Sequence, residues 1–184
     1  LTRNPSTHEA QLREVRKVAS DRNWCACSIG NIVVASWFLE TGAAEVATLS
    51  DLVHMTSQRF PNGIGLVQVI SLEAQAPSND VRNQLIDMLR NAPVQLKGSS
   101  IVVPHKGFRF AAARAMVATL ALLARPNFPH LVHPSVSDAV QWLSKLLRSA
   151  GSPEVDSDAV IRAIEGLKAP AEPAAIPAAN ELRR

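Results

Sequence analysis

Acidic residues are missing from a long middle stretch of this chain. Between Met88 and Ser137 there is no Asp or Glu, while Arg90, Lys97, Lys106, Arg109, Arg114 and Arg125 all fall inside. Cysteine is scarce too: Cys25 and Cys27 are the only two, too few for a disulfide framework and in keeping with a reducing compartment. No P-loop, G-x-G-x-x-G, G-x-S-x-G or H-E-x-x-H word occurs, so the sequence offers neither a nucleotide cradle nor a recognisable catalytic centre. Gly63-Ile64-Gly65 is only part of a dinucleotide word, and it precedes a strand pattern where that motif should follow one. The longest apolar stretch, Phe110–Ala124, carries Arg114 and falls short of the roughly 20 residues a membrane span needs, so it reads as a buried helix. The opening Leu1-Thr2-Arg3-Asn4-Pro5 runs into a polar amphipathic stretch without an apolar export core, so the expectation is a cytoplasmic protein with no membrane span.

What is present points to one globular unit. A chain of 184 residues, 47% hydrophobic and 19% charged, is long enough for one sizeable core and too short for two comfortable ones. A net charge of +3 is too mild to call for nucleic acid. Residues 7–19 place Leu12, Val15 and Val18-Ala19 at helical spacing and predict a short helix within an N-terminal extension over 1–20. Trp24–Ile29 and Ile32–Leu39 are β-branched and aromatic runs separated by Gly30-Asn31, where a leading glycine supplies the positive φ of a tight hairpin.

Helical and apolar segments then alternate. Val46, Leu49, Val53, Thr56 and Phe60 make one helix stripe, stopped by Pro61-Asn62-Gly63, and the nearly unbroken apolar run Ile64–Ile70 reads as a central strand covered on both faces. Ser78 precedes a helix with Val81, Leu85, Met88 and Leu89, Ile101–Val103 reads as a short buried strand, and the helix of Phe110–Ala124 follows. Leu131–His133, behind Pro129, reads as an edge strand. Ser135 and Asp138 resemble a capping box opening a helix with Val140, Leu143 and Leu147. A C-terminal helix is expected within 151–168, and an Ala/Pro-rich tail over 169–184. The order β-β-α-β-α-β-α-β-α predicts an α/β domain over 21–150: an antiparallel hairpin leading a mostly parallel sheet, with helices packed on it.

Asp21-Arg22-Asn23-Trp24 entering a hairpin, Arg59-Phe60-Pro61-Asn62-Gly63-Ile64-Gly65 entering the central strand, and the loop into Asp80-Val81-Arg82 together resemble the STAS-like fold of sulfate-transporter and anti-sigma-factor-antagonist domains. The likeness is to its uncharacterised bacterial branch, related to the sporulation anti-anti-sigma factor. It implies a non-catalytic regulatory or scaffolding domain that docks a partner protein, in some members under control of a phosphorylated serine opening the helix after the central strand. Ser78 lies in that place, although the family's Asp-Ser-x-Gly word is absent. A phosphate there would meet the positive end of a helix dipole, whereas the plain alternative is a serine that caps the helix.

The candidate site therefore gathers Ser78, Asn79, Lys106 and Arg109 at the carboxyl edge of the strands, where open α/β sheets bind ligands. These residues suit either a partner protein or, as the second reading, an anionic small molecule such as a nucleotide. Basic residues that merely keep a surface soluble are the bland alternative. Phe110, Met116 and Leu120, on a helix without a convincing polar face, mark either an interface for a partner or a second copy, or a helix buried beneath the C-terminal one. Cys25 and Cys27 share one strand face about 7 Å apart, too far for a disulfide, and read as small buried hydrophobes. The dispersed histidines read as surface residues, and no cofactor or metal is expected.

Overall fold

The computed structural model describes residues 14–103 and 107–167. Six strands form one mixed sheet in sequential order: β1 (Val15–Ser20), β2 (Trp24–Ile29), β3 (Ile32–Trp37), β4 (Ile64–Ile70), β5 (Leu96–Val102) and β6 (His130–His133). β1, β2 and β3 pair antiparallel, and β3 to β6 pair parallel. The expected hairpin is in place: Ile29 faces Ile32 across the two-residue turn, and Gly30 takes a φ of 55°.

The leading segment corrects the sequence reading. Val15–Ser20 is a strand that adds to the outer edge of the hairpin, with a bulge between Lys17 and Ala19. Its weak helical spacing yields to the open hydrogen-bonding edge of β2, because pairing satisfies a row of backbone groups at once. Glu14 fastens its start, accepting from Arg16 and, 2.9 Å away, from Arg59; the two guanidiniums hold its carboxyl below the ordinary range. The remainder of the expected helix, the tail over 169–184 and the 104–106 segment lie outside the described residues.

The crossovers between β3 and β6 carry α1 (Ala43–Arg59), α2 (Asn79–Arg90) and α3 (Phe108–Ala124). Parallel crossovers are right-handed, and these three step across the sheet in one direction, so their helices collect on one face. There Val33, Ala35, Leu66, Leu49, Val53, Leu89 and Leu120 join one core, with Trp24 stacked on its cross-strand partner Trp37 at 5.2 Å. α4 (Val136–Ser149) follows the last strand, packs on the opposite face and carries α5 (Ser157–Glu165) against it. Ile32, Val34, Val67, Val102, Val140, Leu143 and Val160 form that second core.

Both expected caps are made. Ser78 Oγ accepts from the Val81 amide, and Ser135 Oγ accepts from the Asp138 amide while donating to its carboxylate. β5 is longer than expected, because Leu96-Lys97-Gly98-Ser99-Ser100 belongs to it. Glycine and serine are poor strand formers in isolation, yet here the sheet needs them small: a Cβ on Gly98 would lie 2.8 Å from Leu146 and 3.1 Å from Leu143. α3 is the other correction. Val117, Leu120 and Ala124 are buried, but Phe108 is 88% exposed and Leu122 72%, and α5 sits on the far side of the sheet rather than over α3.

Candidate functional site

A cavity of about 330 Å³ opens at the carboxyl edge of β3, β4 and β5, between α2 and α3. The strand layer supplies its floor through Trp37, Gln68, Ile70, Ile101, Val103 and His130. α2 contributes Leu85, Met88 and Leu89, and α3 contributes Ala113, Met116, Val117 and Leu120. The 71–77 loop forms the rim. It is tied to the end of β3, because the Ser71 amide donates to Trp37 O, Ser71 Oγ donates to Phe38 O at 2.6 Å, and the Gln75 amide donates to Leu39 O. Phe108 stands at the opposite lip.

The gap follows from the side chains on that face. Period-two alternation sends Leu66, Gln68 and Ile70 of β4 toward α1–α3, together with Ser99, Ile101 and Val103 of β5 and His130 and Val132 of β6. Three of these are polar and one is small. The alanines of α3, Ala112 and Ala113 among them, add little bulk from above.

The polar groups are poorly served by the protein itself. Trp37 Nε1 donates to Gln68 Oε1 at 3.2 Å, so what Gln68 retains for a ligand is its donor end, the amide nitrogen. Ser99 is fully buried with an unpartnered Oγ, and it lies beside His130 in the ladder. Both ring nitrogens of His130 are buried without a partner, and burial pulls its pKa down to about 4, so the ring is neutral at physiological pH. Buried polar atoms are nearly always hydrogen-bonded, which makes this cluster unusual. The surface assignment of the histidines is thereby corrected for His130; His133 packs on Trp142 under α4, and its Nε2 is buried as well.

The residues singled out in sequence divide. Ser78 and Asn79 are exposed at the start of α2 and do not line the cavity, Ser78 being occupied with its cap. Lys106 and the side chain of Arg109 lie outside the described residues. Met116 and Leu120, read as either interface or buried helix residues, line the cavity; Phe110 is half-buried against the core formed by Ile101, Val103 and Val117. Sequence reasoning missed Gln68 and His130. Gln68 carried the one available signal, a lone amide inside an otherwise apolar central strand.

Cys25 and Cys27 are buried and free, and burial, aided by the neighbouring Cys25, pushes the Cys27 thiol up to about 12. Among the described residues no group of three His, Cys, Asp or Glu is placed to hold a metal ion, and no helix is long and apolar enough to cross a membrane. No protein-family model, curated protein or solved structure matches the chain.

Proposed function

We propose that this chain is a non-catalytic regulatory domain that binds a small, mainly apolar molecule between α2 and α3. The observation that carries the reading is the cavity of about 330 Å³ at the carboxyl edge of a parallel sheet, apolar along its walls with a few polar groups on its floor, which is the usual make-up of a ligand site. No acid, base and nucleophile converge there among the described residues, which favours binding over catalysis. The hairpin and the alternation of strands and helices support a STAS-like kinship, and with it a regulatory role. The additional strand β1 is a departure from the order that the kinship implies.

The docking reading keeps one specific support. α3 forms a wall of the cavity, while its outer side exposes Phe108, Leu122 and Leu123, an apolar surface that a partner would cover. A ligand that repositions α3 would present that surface differently. The two roles therefore join into one device, in which ligand occupancy is read through α3.

Thermal unfolding with a panel of small apolar compounds tests the binding function, with Ala113→Phe as the blocked control because Ala113 lines the cavity. The expected result is a rise in Tm for the native chain, about 2–3 kcal/mol of stabilisation at a hundredfold excess over Kd, and none for the variant. If no compound raises Tm, the reading falls. A nucleotide that stabilises the native chain but not the Lys106→Ala/Arg109→Ala double variant would establish the anionic reading instead.

A further inference from the structure

We infer that the molecule the cavity is built for is uncharged, with about a dozen non-hydrogen atoms and one end group that both donates and accepts a hydrogen bond. The inference rests on the ligand-binding reading above and names the ligand class. Size comes first. An apolar cavity of about 150 Å³ holds one benzene, so about 330 Å³ suits a fused bicyclic ring or a medium-length chain. The register then gives its length. His130 is level with Ser99 and Val103 lies four residues further along β5, so the floor from His130 to the rim runs roughly 13 Å, an elongated shape.

The end group follows from the floor. Gln68 offers a donor, because Trp37 has taken its oxygen. A neutral imidazole at His130 offers one donor and one acceptor. A hydroxyl on the ligand suits these lining groups, since it can accept from the Gln68 amide or the His130 N–H and donate to the bare His130 nitrogen. A carboxylate fits poorly. No Lys or Arg lines the cavity among the described residues, and an ionised group buried without a counter-charge is strongly disfavoured. A hydrocarbon would fill the space yet leave the His130 nitrogens unpartnered, which costs more than making those bonds gains.

Three probes of one shape separate these cases: 1-naphthol, 1-methylnaphthalene and 1-naphthoate, titrated calorimetrically into the full chain at pH 7. The expected order is 1-naphthol tightest, 1-methylnaphthalene weaker by about tenfold, and 1-naphthoate not bound. Gln68→Met and His130→Phe should each narrow the gap between the first two by severalfold, with 1-methylnaphthalene affinity retained. That retained affinity also certifies that each variant is folded. Equal binding of 1-naphthol and 1-methylnaphthalene would overturn the polar-end inference and leave the cavity reading standing. Tighter binding of 1-naphthoate would overturn the uncharged class, and failure of all three probes would overturn the cavity reading along with it.

Discussion

The two faces of the sheet were built by the same strands and packed to different ends. Under α4, Gly65 and Gly98 sit side by side in the ladder, and their missing side chains let Leu143 press close to the strands, so that face is filled. Under α2 and α3, a layer broken by Gln68 and His130 meets helices that stand off from it, and space remains. Close packing on one side supplies stability. The other side gives up some of it: an unfilled volume is what a binding site requires and what a purely structural core avoids. Stability and function are thus divided between the faces of one sheet, with the central strands shared by both.

That division can be broken by experiment, and the largest effect should come from the filled face. Leu143→Ala removes a fully buried side chain at the closest contact between α4 and the sheet, with an expected loss of about 3–5 kcal/mol in denaturant unfolding. Met116→Ala, at a half-buried position beside existing space, should cost about 1 kcal/mol, because little contact is lost there. Equal losses at the two positions would dissolve the contrast.

Acid sharpens it next. The His130 pKa is depressed by burial from an ordinary value near 6.5 to about 4, so the unfolded chain takes up the proton first. The associated stability is complete above pH 6.5, declines as the pH falls through that window, and is lost by pH 4, a change of about 3 kcal/mol. Burial lowers His133 as well, against an opposing pull from Asp138, so it adds to the same limb. Unfolding curves between pH 7 and 4 for the native chain and for His130→Gln should differ chiefly in the steepness of that decline. Identical slopes would mean that the ring is not shielded on the cavity face.

The smallest effect concerns Ser78, which is exposed at the start of α2 and accepts from the Val81 amide. Ser78→Ala should cost about 1 kcal/mol of stability and leave 1-naphthol affinity within twofold, since the residue caps a helix and lies outside the cavity. A large loss of ligand binding would move the site toward the helix start, where the sequence alone had placed it.

Much of this architecture was legible before any coordinates. The hairpin around Gly30, the α1 stripe ending at Phe60, the doubly covered strand Ile64–Ile70 and both serine caps each rest on local chemistry within a few residues. The errors occurred where a neighbour overrode local preference. Val15–Ser20 became a strand because β2 offered it an edge, and Leu96–Ser100 became one because glycine and serine fit under α4. The alanine-rich α3 gave no reliable face in sequence, so interface and burial both stayed open for Met116 and Leu120, which line the cavity.

The linear pattern of apolar residues and turn formers determined the hairpin, the alternation of helices and strands after it, and that they join one α/β sheet. Such signals are short-ranged, and the chain carries them wherever it goes. Only the tertiary structure decided that Gln68 and His130, distant in sequence and unremarkable one by one, share one face of the sheet beneath a gap. Strand register and helix placement are collective outcomes of packing, and the space left between α2 and α3 belongs to no residue in particular.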